Sequence, residues 1–316
     1  MKTLFYFFAV IFSVQIVHAE LYAQKENYIL LADSARIRID LKAITQTPKS
    51  RNYQNISTLD SVASYIKNEL GKICDSVRYQ TFVDNKKMYR NVIGSIGTQN
   101  KKRFVIGAHY DVCGNQEGAD DNASGTAGLL ELARLLGKET DLKYRYDFVA
   151  YTLEEPPYFG GEWMGSNIHA KSLFDNHIKI EGMVCLEMIG YFDLSPNSQT
   201  YPDPAMRNVY GDNGDFISVI QKKNNGKFPK KFSEAMIKQG IIETNTLKAT
   251  TDVQGVDFSD HRNYWNYNYP AVMVTNTSFY RNPNYHKVSD TLETLDIYRM
   301  SLVIDEVYMA LKTWRK

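Results

Sequence analysis

Apolar positions along the chain follow two habits. Val62, Ile66, Leu70 and Ile73 recur at helical spacing within Leu59–Ile73, and Leu30–Thr47 is spaced in the same way. Gly125–Leu136 also reads as a helix, and Ile297, Met300, Ile304, Val307 and Leu311 predict a long closing one. Between these segments lie short apolar runs: Val77–Val83, Met88–Ile96, Phe104–Ala108, Phe148–Leu153, Ile180–Met188 and Ala271–Thr275. Compact runs of this kind suit strands covered on both faces. Strands alternating with helices predict an α/β three-layer sandwich around a central mixed, mainly parallel sheet. Tyr191–Asp215, rich in Pro, Asn, Asp and Tyr, predicts a long surface loop near the site. No repeat or linker divides the rest, so residues 24–316 read as a single domain.

The N-terminus breaks this pattern. Lys2 precedes an uncharged apolar run from Leu4 to Val17, and Val17-His18-Ala19 leads to Glu20. A basic start, a short apolar stretch and a small-residue exit predict a signal peptide over residues 1–19, with a second possible cut after Ala23. The run is too short to span a bilayer, so no stable membrane span is expected after cleavage. This predicts a secreted or periplasmic protein of bacterial type.

Composition narrows the functions. In 316 residues, 37 Lys and Arg face 36 Asp and Glu, which leaves no basic field for nucleic acid. Lys2 lies in the leader, so the mature chain is formally neutral. Three cysteines exclude a disulfide scaffold. No His-Glu-x-x-His helix, Gly-x-Ser-x-Gly elbow or phosphate loop occurs.

The chemistry gathers where the buried runs end, which is where ligands collect in such sheets. Phe104–Ala108 delivers His109 and Asp111, and the next crossover opens on Asp120-Asp121. Phe148–Leu153 delivers Glu154-Glu155, Ile180–Leu186 delivers Glu187, and Ala271–Thr275 leads to Tyr285-His286 and Asp290. Any one of these has an ordinary structural explanation, since an Asp before a helix is usually a cap. Carboxylates directly after buried strands are costly without partners, however. Two imidazoles with several carboxylates form an N/O donor set suited to zinc and related divalent ions.

The motifs carrying these residues are Gly-Ala-His-Tyr-Asp (107–111), Gly-Ala-Asp-Asp-Asn-Ala-Ser-Gly (118–125), Leu-Glu-Glu-Pro-Pro (153–157) and Leu-Glu-Met-Ile-Gly (186–190). Ser-Asp-His (259–261) and Tyr-His-Lys-Val-Ser-Asp-Thr (285–291) complete the set. From about Arg90 to Leu295 the chain resembles the dizinc aminopeptidases of clan MH, whose relatives include the glutaminyl cyclases. The resemblance implies a zinc aminopeptidase/phosphorylase-like sandwich and two zinc ions per chain. It makes Asp121 the bridging ligand, with His286 and Glu155 on one zinc and His109 and Glu187 on the other. Glu187 stands where the family usually has Asp. Glu154 matches the general base, and its side chain diverges from that of its neighbour Glu155. Asp111 would orient His109 and Asp290 would orient His286. The Asp121-Asn122 peptide is cis in relatives.

Hydrolysis of N-terminal residues from peptides with a free N-terminus follows as the expected activity, with glutaminyl-peptide cyclisation as the alternative on the same scaffold. Tyr285 reads either as a donor to the developing oxyanion or as a packed rim aromatic. Asp260 and His261 read as a pair in the pocket wall or behind the ligands. Tyr158, Phe159, Trp163, Phe279 and Tyr280 lie near the motifs and are candidates for an apolar pocket. His169 and His177 read as surface or helix-end residues, and Cys113 as a small packed thiol.

Overall fold

A computed structural model describes residues 28–315. The expected leader, with both of its possible cuts, lies outside the described residues. Ala32–Lys316 groups as one compact unit.

The first helices are α1, Ser34–Thr45, and α2, Ile56–Gly71. Asp33 caps α1 by accepting from Ala35 N and Arg36 N, so the helix starts four residues later than apolar spacing alone suggests. The hairpin strands β1, Ser76–Asp84, and β2, Lys87–Ile96, pair antiparallel around Asn85 and Lys86, both at positive φ. They are followed by β3, Arg103–His109; α3, Gly125–Gly137; β4, Arg145–Tyr151; α4, Gly165–Asp175; and β5, Gly182–Glu187. After the long loop come α5, Arg207–Tyr210; β6, Ile217–Lys222; α6, Phe228–Gln239; and β7, Thr244–Ala249. The chain finishes with α7, His261–Asn266; β8, Ala271–Thr275; and α8, Ile297–Lys312.

The eight strands form one sheet in the order β1-β2-β4-β3-β5-β8-β6-β7. Its centre, β4-β3-β5-β8, is parallel throughout, while β1, β2 and the β6–β8 pairing are antiparallel. This is the mixed three-layer sandwich that the apolar pattern predicts. One face carries α1, α2, α3, α6 and α8. Among the described residues α4 and α7 pack on the other, over a cluster that includes Val105, Tyr151, Met183, Cys185, Tyr264 and Trp265. Toward β6 and β7 this face is approached by the loop that carries α5, whose Tyr210 hydroxyl donates to Thr246 O at 3.1 Å.

Three strand exits are bent by residues in the left-handed region: Leu153 at φ 59°, Met188 at φ 49° and Thr277 at φ 78°. Side chains with a Cβ are held there only when surrounding contacts over-determine them. Asn122 supplies some of those contacts, since its Oδ1 accepts from Gly125 N and Met188 N and its Nδ2 donates to Leu186 O. The turn before Glu154-Glu155 is likewise pinned, by Asp111. β4 accordingly ends at Tyr151, two residues short of the apolar run that predicts it.

His169 corrects a sequence expectation. It lies buried in α4, with Nδ1 2.6 Å from the hydroxyl of Tyr264, which in turn meets Tyr151 at 2.6 Å. The stripe on α4 places it inward; His177, past the helix end, is exposed as expected. Burial pushes the pKa of His169 down to about 4. The unfolded chain therefore takes up a proton below about pH 6.5 that the folded chain refuses. Stability from this residue is complete above that pH and is lost on descending toward 4, on the order of 3 kcal/mol in all. Buried Asp290 and Asp260, both pushed up to about 7 chiefly by burial, titrate with the opposite sign over the same range. Between pH 7 and pH 4.5, His169→Gln is therefore expected to lose less stability to acid than the parent. Chemical denaturation at the two pH values measures it, and equal acid sensitivity in both proteins would refute the assignment.

Candidate metal centre

The site forms at the carboxyl ends of β3, β4, β5 and β8. His109 is the last residue of β3 and Glu187 the last of β5. Glu154 and Glu155 follow β4, and Asp121 sits in the irregular turn Ala119–Ser124 that opens α3. His286 reaches in from the loop beyond β8, itself at φ 57°. The Asp121-Asn122 peptide is cis, as the resemblance implies, and so is Pro156-Pro157.

These residues converge. His109 Nε2 lies 3.4 Å from Asp121 Oδ1 and 3.4 Å from Glu187 Oε2. His286 Nε2 lies 3.2 Å from Asp121 Oδ2 and 3.2 Å from Glu155 Oε2. Asp121 thus offers one oxygen to each of two donor sets, and all but His286 are buried. Glu154 stands on the His109 side, with Oε2 4.0 Å from Nε2. Buried Ser259 donates to Glu187 Oε2 at 2.5 Å and fixes that side chain beside His109.

The electrostatics show how unusual this cluster is. Burial opposes charge on His109, but Glu187 and Glu154 outweigh it and hold the imidazole well above its ordinary value. His286 is raised against its own burial by Asp121 and Glu155, to about 10. Burial pushes Glu155 up to about 7, assisted by Asp121, and holds Glu154 well above the carboxylate range. Asp121 moves the other way despite burial, because both imidazoles bond to it. Four buried carboxylates crowd two imidazoles, and Glu155 Oε1 has no hydrogen-bond partner among the described residues. A cluster that protonates to relieve its own repulsion, and still leaves an orphan oxygen, fits divalent cations. The groups His109–Asp121–Glu187 and His109–Glu154–Glu155 each bring three donor atoms within 4.8 Å of one another. A third such group is Cys113–Glu155–His286. Cys113 is therefore a half-buried neighbour of the His286 set rather than a packed core thiol.

The supporting residues divide differently from the expectation. Asp111 lies 3.5 Å from His109 Nδ1, beyond a good hydrogen bond, and its oxygens accept from Glu154 N and Glu155 N at 3.2 Å each. It therefore faces the imidazole while holding the turn that carries both glutamates. Asp290, expected to orient His286, instead accepts from Asp120 N at 2.9 Å and Asp121 N at 3.0 Å, so it sets the backbone of the bridging aspartate. Asp260 and His261 are both buried but do not pair. The His261 ring sits 2.8 Å from Val256 O and edge-on to Trp265 at 4.4 Å. Tyr285 stacks on His286, with centroids 3.8 Å apart, and lines the cavity over the carboxylates.

Two residues that the sequence reading leaves out also shape the site. Buried Arg51 donates to the carbonyls of Tyr110, Glu117 and Gly118, clamping the segment between His109 and Asp121. No local pattern marks an isolated arginine 58 residues before His109. Asp120 receives Asn276 and Asn282 Nδ2 at 2.8 Å each, and Gly190 N at 2.9 Å, tying together three of the site's loops. The doubled aspartate was its signal: one of the pair faces the two imidazoles, the other anchors the turn.

An apolar cavity of about 320 Å³ opens from Asp121, Glu154, Glu155, Glu187 and His286. Phe159, Phe279 and Tyr280 line it as expected. Trp163 and Tyr158 do not: Trp163 stacks on Phe82 and Tyr158 packs on Tyr53 and Tyr89. The roof comes from the Tyr191–Asp215 loop, through Tyr201, Pro202, Met206 and Tyr210. That loop is closed at its base by an Asp193–Gly214 bridge, which makes it a built lobe rather than a loose surface loop.

The model of peptidase family M28 matches residues 91–309, which span every residue of the two donor sets. The chain therefore belongs to peptidase family M28, and it is a peptidase hydrolase. It is 39% identical over 284 residues to the uncharacterized protein YfbL of Escherichia coli K12, covering 87% of each chain. It is 26% identical over 277 residues to a probable leucine aminopeptidase of Trichophyton verrucosum, covering 83% of this chain and 67% of the relative. Among solved structures, LapB of Legionella pneumophila superposes with a TM-score of 0.70 at 21% identity, over 93% of this chain and 74% of that one. Glutaminyl cyclase of Porphyromonas gingivalis superposes with a TM-score of 0.67 at 18% identity, over 90% of this chain and 100% of that one. These two likenesses are of fold. No helix among the described residues is long and apolar enough to cross a membrane.

Proposed function

We propose that residues 24–316 form the single domain of an exported, zinc-dependent aminopeptidase, delivered by a signal peptide over residues 1–19. The observation that carries this reading is the pair of donor sets sharing the two oxygens of Asp121 at the mouth of an apolar cavity. His286 and Glu155 would hold one zinc, His109 and Glu187 the other, and Asp121 both. When bound, two such ions supply an acidified water and a Lewis acid for the scissile carbonyl.

The chain's own residues do the rest. Glu154 projects beside the donor sets without belonging to the His286 pair, and its raised affinity for protons suits a base working near neutral pH. It takes the water's proton and delivers it to the leaving amine. Tyr285, above the same carboxylates, donates to the oxygen on which charge develops. The excess of carboxylate attracts a free α-ammonium, which restricts attack to the first peptide bond. The cavity then receives the first side chain, and its walls exclude water.

Aminoacyl anilides and a Gln-initiated peptide, assayed in parallel with and without added zinc, test the proposal. Zinc-restored anilide release is expected. Cyclisation of the Gln peptide without anilide release would replace this reading with that of a glutaminyl cyclase.

A further inference from the structure

One thiol stands against the two donor sets without an assigned role. Cys113 Sγ, a Glu155 carboxylate oxygen and a His286 ring nitrogen all lie within 4.8 Å of one another, the spacing that also unites His109, Asp121 and Glu187. Among the described residues Cys74 and Cys185 belong to no such group. Cys185 instead meets the hydroxyl of Ser259 at 3.2 Å.

The chain holds Cys113 in place from both sides. Val112 N donates to Arg51 O at 3.3 Å, and Asn52 Nδ2 donates to Gly114 O at 2.6 Å, so each neighbour is tied to the segment before α2. Gly114 turns the chain at φ 61°, which suits a residue without a Cβ. Asp111, two residues earlier, accepts from the backbone of Glu154 and Glu155. Residues 111–113 therefore set both the thiol and the carboxylate beside it. Glu155 supplies a second, independent sign of a ligand. It is only 4% exposed, its Oε2 meets His286, and its Oε1 has no hydrogen-bond partner among the described residues. A buried carboxylate oxygen without a donor is costly, and a cation shared with the thiol satisfies it.

We infer that Cys113 is a further protein ligand at the His286 position, through its thiolate. This rests on the two-zinc reading and deepens it. With His286, Glu155 and one oxygen of Asp121, the thiolate makes a set of four. Zinc held by four protein donors is closed, whereas three leave a position for water or substrate. His109, Asp121 and Glu187 are three, so the open position lies on the side where Glu154 stands, 4.0 Å from His109 Nε2. A soft sulfur donor also biases the His286 position toward zinc and away from manganese or magnesium. The thiol proton passes to solvent on coordination, because an ion deprotonates a bound thiol outright.

The test loads metal-free protein with cobalt(II), which reports a metal–thiolate bond as a near-ultraviolet charge-transfer band, and counts the bound ions on the same sample. The parent is expected to hold two ions and show the band, and Cys113→Ser to lose it. X-ray absorption at the zinc edge gives a reading of the zinc-loaded parent that needs no variant: a sulfur neighbour at about 2.3 Å is expected. Two bound ions with neither band nor sulfur neighbour overturn the Cys113 ligand and leave the two-zinc centre standing. A band that persists in Cys113→Ser overturns it as well, because another thiol then carries it. One ion with the band keeps Cys113 and overturns the pairing of sites. A parent that binds no ion overturns both readings.

Discussion

Glu154→Gln is expected to lower kcat by about 10²–10⁴-fold, the usual contribution of a positioned general base, while the protein keeps its full complement of zinc. The expectation follows from where Glu154 stands. It comes from the same turn as Glu155, and Asp111 holds the backbone nitrogens of both. Adjacent side chains diverge, so Glu155 meets His286 while Glu154 is left beside His109 at 4.0 Å. Gln preserves shape and hydrogen-bonding capacity but cannot carry a proton. Steady-state turnover, with metal content measured on the same sample, checks both halves. A variant that loses zinc in step with activity would make Glu154 a ligand, and one as active as the parent would remove it from the reaction.

Asp121→Ala is expected to have a larger effect still, abolishing measurable turnover and emptying both metal positions together. Each Asp121 oxygen faces a different imidazole, 3.4 Å from His109 and 3.2 Å from His286, so one truncation withdraws a donor from both sets. It also removes the one carboxylate to which both imidazoles bond. Glu187→Gln provides the contrast: it touches only the His109 set, and one equivalent of zinc should remain. Native mass spectrometry counts the ions in each case. Loss of a single equivalent from Asp121→Ala would show that the aspartate serves one position and not two.

The sequence and the structure agree best where burial on both faces writes itself as an unbroken apolar run. β3, β5 and β8 are such runs, and each ends within two residues of where its hydrophobicity stops. The proposed ligands were legible for the same reason, since a carboxylate or imidazole directly after a buried strand has no ordinary business there. The β6–α6–β7 segment went unread although part of its signal was present. Phe228, Phe232, Ala235 and Met236 make a helical stripe that ends at Gly240, which adopts φ 61°. β7 hides better: Asn245 and Lys248 interrupt a short strand at the sheet edge, where one neighbour suffices. This segment matters to the site, because β6 and β7 form the floor of the cavity.

Long-range partners were the least legible. Asp290 lies four residues from His286, and proximity in sequence suggested a partnership that the backbone of Asp120 and Asp121 takes instead. Asp260-His261 reads as a ready pair, yet adjacent residues at a helix start point apart, and the His261 ring turns to the Val256 carbonyl. His169 looked superficial because its α4 neighbours Lys171 and Asp175 are exposed; the buried hydroxyls of Tyr264 and Tyr151 come from α7 and β4. Such contacts are fixed by topology, which no local window records.

The central claim is that Asp121 joins two zinc positions. Anomalous diffraction from zinc-loaded crystals, collected on both sides of the zinc absorption edge, measures this directly. The account predicts two peaks flanking the Asp121 carboxylate, one against His286 and Glu155 and the other against His109 and Glu187. A single peak, or peaks that leave Asp121 uncoordinated, would contradict it.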